Sequence, residues 1–274
     1  MIIAEKVSYG YSGSIRTVSD LSFHIKKGEF AAIVGENGAG KTTTVKLIDG
    51  LIKPTSGKMT VCGLDTASSR VSERAKHVGF LFQNPDRQIC QNTVREEIAF
   101  GLKAVSGKKR SDDIDRRTSE MLELFGFTGD EEPFSLSRGQ RQQVALASVL
   151  AVDPEVLILD EPTTGLDYRE CVRIMDMIRE MNERSGTTVV MVCHDMEIVL
   201  DYADRALVMA GGTLIGDGRV KDIFRDEELM GKASLLPPQI TGLALRLGGD
   251  FRDIDDAAAM ADAVYGRMKE GKAI

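Results

Sequence analysis

No apolar run in this 274-residue chain approaches the roughly 20 residues that a membrane-spanning helix needs. No positively charged leader precedes an apolar signal core. The chain is therefore expected not to enter a membrane unaided, although it can dock on something that does. There is no long basic block either, and the net charge is −7, which argues against nucleic acid as the main partner. The cluster Lys108-Lys109-Arg110 is followed at once by Asp112 and Asp113 and reads as the solvated start of a helix. Cys62, Cys90, Cys171 and Cys193 form no C-x-x-C pair, so they read as reduced thiols of a cytosolic protein. The length suits one large domain or one and a half. The 42% hydrophobic content supports a substantial α/β core.

What is present centres on Gly35-Glu36-Asn37-Gly38-Ala39-Gly40-Lys41-Thr42-Thr43. It follows the apolar run Phe30–Val34 and precedes a helical pattern from Thr43 to Leu51. Strand, glycine-rich turn and helix in that order make a phosphate cradle. The glycines let successive N–H groups face one centre, and the helix N-terminus adds partial positive charge. Lys41 can reach the terminal phosphates of a nucleotide, and the Thr42 hydroxyl can ligate Mg²⁺.

The chain opens with β-rich sequence, strands over 2–8 and 18–25, with a turn at Tyr9-Gly10-Tyr11-Ser12-Gly13. The Tyr11 ring can stack on an adenine base or pack against the sheet edge. A short strand spans 58–62, residues 67–77 read as polar and irregular, and a strand over 77–82 ends at Gln83. From Thr93 to about Val152 the period turns helical. Thr93 with Glu96 suits a capping box, and helices are expected from Thr93, over 111–125 and over 140–151. This block reads as a helical subdomain, about 84–152, inserted into the nucleotide fold. Strands follow at 156–159, ending in Asp160 and Glu161, and at 187–193, ending at His194. Between them an amphipathic helix over 169–182 has Val172, Met175, Ile178 and Met181 in phase. A helix over 196–202 and a hairpin over 205–215 complete the core. Buried β-branched runs alternating with amphipathic helices imply an α/β fold with a parallel sheet covered on both faces. Ligand groups then belong at the carboxyl ends of the strands, where the phosphate loop, Gln83, Asp160-Glu161 and His194 all fall.

Cleaving a γ-phosphate with water needs charge neutralisation and a positioned nucleophile. Lys41 and the loop amides supply the first. Thr42 and Asp160 can hold Mg²⁺, directly or through water. Glu161 can polarise the attacking water. Gln83 can reach the metal or the water, or serve as a polar loop residue. His194 is either a packed histidine or a further donor to the γ-phosphate.

These segments, together with Leu136-Ser137-Arg138-Gly139-Gln140 and Thr164-Gly165-Leu166-Asp167, resemble the ATP-binding subunit of ABC transporters over about residues 1–220. The resemblance implies a P-loop NTPase core with an N-terminal antiparallel β region and an ATPase that uses ATP and Mg²⁺ and works as a dimer. Each ATP would lie between one phosphate loop and the signature segment Ser137–Gln140 of a second ATPase subunit, the same chain or a related one. Tyr11 matches the adenine-stacking aromatic, Gln83 the residue near the membrane partner, and Asp167 the loop after the catalytic carboxylate. Two positions depart from the pattern. Arg138 stands where Gly is usual, and Gln143 where a basic residue is common.

More narrowly, Phe82–Gln88, Thr93–Gly101, Ala147–Ala151 and Leu236–Ile240 with Leu243, Ala244 and Leu247 resemble the ATPase components of energy-coupling factor transporters. That implies uptake of a transition-metal ion or vitamin, with a transmembrane component and a substrate-binding membrane protein as partners. It also implies a peripheral place on the cytoplasmic face of the cell membrane. Residues 221–274 would form a small helical C-terminal extension that either packs on its own domain or makes a second dimer contact. Soluble ABC-type ATPases that act on DNA or ribosomes usually carry two nucleotide domains or a coiled-coil insert. Here there is one phosphate loop, no heptad run and no Asn-Lys-x-Asp guanine motif.

Overall fold

The computed structural model describes residues 1–11, 16–106 and 111–269. Ser12 and Gly13 of the expected turn, and the cluster Lys108-Lys109-Arg110, lie outside the described residues. In chain order, β1 (Ile2–Gly10) and β2 (Arg16–Ile25) form an antiparallel pair. Next come β3 (Phe30–Gly35), α1 (Lys41–Asp49), β4 (Ser56–Val61), β5 (Leu64–Asp65), α2 (Val71–Arg74) and β6 (Val78–Leu81). Three helices follow, α3 (Val94–Ser106), α4 (Ser111–Phe125) and α5 (Arg138–Ala151). The chain then alternates through β7 (Val156–Asp160), α6 (Tyr168–Ser185), β8 (Thr188–Val192) and α7 (Met196–Tyr202) to the hairpin β9 (Arg205–Ala210) and β10 (Thr213–Arg219). It closes with α8 (Val220–Arg225), α9 (Glu227–Lys232), α10 (Gln239–Leu247) and α11 (Ala257–Lys269).

Two sheets result. One is antiparallel, in the order β2-β1-β4-β5; the other has the order β10-β9-β3-β8-β7-β6. In the larger sheet β9, β3, β8, β7 and β6 run parallel, and β10 pairs antiparallel with β9. The central strands are apolar on both faces because both faces are covered. Along β3, Phe30, Ala32 and Val34 enter one core with the helices, while Ala31 and Ile33 enter another with α1 and the antiparallel sheet. The alternation is the two-residue period of a pleated strand.

The helical insertion matches the expected spans, and Ile114, Met121, Leu122 and Phe125 of α4 are buried. Thr93 Oγ1 accepts from the Glu96 N–H at 3.2 Å, as a capping residue does. Two expectations need correction. In α6 the buried stripe is Cys171, Ile174, Met175, Ile178 and Asn182, with Val172 and Met181 only half-buried. A strict spacing of three falls short of one turn and drifts about 60° per step around the helix, so its outer members leave the core face. Residues 67–77 are not wholly irregular, because α2 lies within them. The guanidinium of Arg74 there is buried, donating to the carbonyls of Asp49 (2.9 Å), Gly50 (3.1 Å) and Ser69 (2.6 Å). It thereby supplies a cation to the C-terminal end of α1.

Val220, Ile223, Phe224, Met230 and Ala233 join the large helical core. Beyond them Ala244, Phe251 and Met260 form a third, small cluster, with Ile240 and Leu247 against it. Leu243 remains 42% exposed. Among the described residues no helix is long and apolar enough to cross a membrane.

Candidate functional site: a phosphate-loop cleft at the strand ends

The loop between β3 and α1 turns tightly enough to exclude side chains. A Cβ on Gly35 would overlap the Met209 carbonyl oxygen, and Gly40, at φ 99°, would bring one within 2.9 Å of the Thr17 oxygen. Gly40 also occupies the cap position of α1, so Lys41, Thr42 and Thr43 present the free N–H groups of the first helical turn to the cleft. Lys41 is 6% exposed. Its Nζ donates to the carbonyls of Gly35 (2.8 Å) and Glu36 (2.9 Å), folding back across the loop it serves. Burial lowers its pKa, against the pull of Glu161, Asp160 and Glu36.

The strands next to β3 bring the other groups. Asp160 is the last residue of β7, 3% exposed, and its Oδ1 accepts from the Thr42 hydroxyl at 3.2 Å. Burial raises the Asp160 pKa; the Thr42 hydrogen bond opposes that and the adjacent Glu161 adds to it. Glu161 has left the strand at φ 55°, and its carboxylate has partners of its own. Oε2 accepts from Gln83 Nε2 at 2.7 Å and from the Thr164 hydroxyl at 3.2 Å, and Oε1 lies 2.5 Å from His194 Nε2. A cleft of about 280 Å³ is lined by Thr17, Asn37, Gly38, Gly40, Lys41, Thr42, Thr43, Gln83, Glu161 and His194. Polar groups from four neighbouring strand ends thus share one cavity.

Other expected site residues stand apart from that cleft. Ser137 caps α5: its hydroxyl accepts from the Gln140 N–H at 3.2 Å, and Gln140 Oε1 accepts from the Ser137 N–H at 3.0 Å. Gly139 lies against the loop 163–167, where a Cβ would come 3.1 Å from the Gly165 oxygen. Asp167 caps α6 by the same reciprocal pattern with Glu170. Tyr11 is 56% exposed, and its ring meets Tyr9 edge-on at 4.9 Å. Glu36 and Ala39 belong to the loop but do not line the cavity.

Residues 18–164 match the family model described as ABC transporter. The chain belongs to the ABC transporter family. An ABC transporter ATP-binding protein of Caldanaerobacter subterraneus is 43% identical over 258 residues, which make up 93% of this chain and 45% of the relative. One of Methanosarcina acetivorans is 40% identical over 90% of this chain and 40% of its own length. The chain thus spans under half the length of these curated relatives. Among solved structures, cbiO1 of Clostridium perfringens, described as part of the ABC transporter complex cbiONQ, is 35% identical. The match covers 88% of this chain and 97% of that one, with TM-score 0.73. The dimeric ABC cassette MJ0796 bound to ADP and Pi is 28% identical over 80% and 99%, also at TM-score 0.73. The fold is that of a P-loop ABC ATPase.

For an ABC cassette, the oxygens fit a magnesium ion that accompanies a bound triphosphate. Thr42 Oγ1 and Asp160 Oδ1 are neighbours at the loop, and Gln83 reaches the same cleft. Among the described residues no group of three His, Cys, Asp or Glu side chains forms a metal cage, and magnesium usually takes few protein ligands beside phosphate oxygens. The two departures from the family pattern meet the loop after Glu161 and the first turn of α6. Arg138 lies over Gly165, and Gln143 Nε2 donates to Glu170 Oε1 at 3.2 Å. Sequence reasoning missed Thr164 as a partner of Glu161. Its spacing of three from Glu161 across a tight loop was the available signal. Thr17 had none, because only the fold brings β2 to the phosphate loop.

Proposed function

We propose that this chain is the ATP-hydrolysing subunit of an energy-coupling factor type importer for a transition-metal ion or vitamin. ATP binds in the cleft above β3 and is closed by Ser137, Arg138, Gly139 and Gln140 of a second ATPase subunit. The observation that carries this reading is the meeting of Gln83, Glu161 and His194 beside Lys41 and Thr42, with Ser137–Gln140 outside the same cleft. Lys41 draws the terminal phosphates in. Glu161 accepts the proton of an attacking water while Gln83, Thr164 and His194 fix its orientation. Magnesium, held by Thr42 and Asp160 with Gln83 close by, would offset charge on the phosphate oxygens. Tyr11 stacks on the adenine, and Asp167 borders the partner's site.

The helical insertion behind Gln83 faces a transmembrane component, which with a substrate-binding membrane protein completes the importer at the cytoplasmic face of the membrane. The cbiO1 likeness supports the importer subtype, as do the segments Phe82–Gln88 and Leu236–Ile240. The test is Glu161→Gln in the full chain. It should give an ATP-bound dimer on gel filtration with hydrolysis down by about 100-fold or more. Undiminished hydrolysis would rule out Glu161 as the water-positioning group. Expression in membranes should co-purify the transmembrane component. Recovery free of membrane partners but bound to ribosomes or DNA would replace the importer with a soluble ABC-type ATPase.

A further inference from the structure

The C-terminal segment touches the helix that starts beside His194. Asp195 caps α7, its carboxylate accepting from the N–H of Glu197 (2.9 Å) and Ile198 (3.4 Å). Glu197 is the second residue of α7. Its Oε1 accepts at 2.7 Å from the backbone N–H of Gln239, the first residue of α10. That N–H has no acceptor within its own helix, and a carboxylate is a strong partner for it. Glu197 stays there beside other carboxylates. The Asp201 carboxyl is pushed up by burial and then by Glu197 and Asp195.

The first turn of α10 is tied to α8 as well. Asp255, with a side chain only 10% exposed, accepts from Arg225 Nη2 at 2.8 Å, Lys221 Nζ at 3.2 Å and the Thr241 hydroxyl at 3.4 Å. α8, α10 and the approach to α11 therefore meet at one carboxylate. Contacts run in sequence from Asp255 through α10 to Glu197, then to the first turn of α7, His194 and Glu161.

We propose that Glu197 is a positioning residue through which the C-terminal segment sets the place of His194 against Glu161. The seating of α10 then governs the rate of ATP cleavage rather than ATP binding. The inference rests on the reading of Glu161 and His194 as ATPase residues, so one readout is independent of activity. In the nucleotide-free 274-residue chain, Glu197→Ala should shift the His194 ring resonance in a ¹H–¹³C spectrum. It should also lower kcat about 3- to 10-fold with KM for ATP within about twofold. Glu197→Gln keeps a carbonyl acceptor and should restore both. Asp255→Asn, which loosens α10 without touching α7, should shift the same resonance. A wild-type chain without hydrolysis sinks the ATPase reading and leaves the spectrum to judge the contact. An unmoved His194 resonance in both Glu197→Ala and Asp255→Asn, or a Glu197→Gln chain that behaves like Glu197→Ala, overturns the proposal.

Discussion

Two polar clusters on this chain are built in opposite ways. At the phosphate-loop cleft the side chains bond to one another: Thr42 to Asp160, and Gln83, Thr164 and His194 to Glu161. Gln83, Asp160, Glu161 and His194 stand at or just beyond the ends of β6, β7 and β8, which are neighbours in one sheet, while Thr42 lies in the first turn of α1 and Thr164 in the loop after Glu161, so strand register and two short connections bring them together. At the signature turn, Ser137 and Gln140 satisfy each other and line no part of that cleft. The turn sits at the tip of an inserted helix, held to the strand-exit loop by Arg141 on Asp86 at 2.7 Å and Gln88 on the Ala145 carbonyl at 3.1 Å. A site made by sheet register is assembled within one chain. The capped helix tip stands outside that assembly.

Substitutions can separate the two. Lys41→Ala strikes the self-assembled cluster and should weaken ATP binding by the isolated chain about 10- to 100-fold, the loss expected for charge-assisted hydrogen bonds. Hydrolysis should fall with it, by roughly 100-fold or more. Titration calorimetry on the single subunit checks the first and a phosphate-release assay the second. Unchanged affinity would mean that nucleotide binds elsewhere. Ser137→Asp should do the reverse. Aspartate is as good a helix cap as serine, so α5 should stay folded, while the new carboxylate repels a phosphate approaching from a partner. The isolated chain should bind ATP within about threefold of wild type, and turnover should drop roughly tenfold or more. Full turnover in that variant would make the signature turn a structural cap and erase the contrast.

The self-assembled cluster was the more legible in sequence, for the same physical reason. Gln83, Glu161 and His194 each follow closely on an apolar strand run, and a parallel sheet collects such positions on one edge. The loop spacing around Lys41 carries its own chemistry. What stayed hidden depends on contacts remote in sequence. Arg74 falls in the stretch read as polar and irregular, yet it is buried under the end of α1. The face of α6 was misplaced because Val172 and Met181 share a spacing with Met175 and Ile178 but not their helical phase. The bond between Glu197 and Gln239 crosses 42 residues, and no periodicity encodes it.

A smaller effect tests whether the phosphate-loop side carries a cost of its own. Asp49 ends α1, and burial pushes its carboxyl up to about 6, with Arg74 pulling the other way. A negative charge at a helix C-terminus is also unfavourable. The unfolded chain releases this proton near pH 4, so the folded state binds more protons between about pH 4 and 6. The contribution is therefore whole below pH 4 and lost as pH rises through 6. Asp49→Asn abolishes that loss. The variant should match wild type in urea denaturation at pH 4 and exceed it at pH 7 by on the order of 2 kcal/mol. Asp49 lines no part of the cleft, so ATP turnover should stay unchanged. An equal gain at both pH values would assign the effect to packing rather than to the carboxylate's charge.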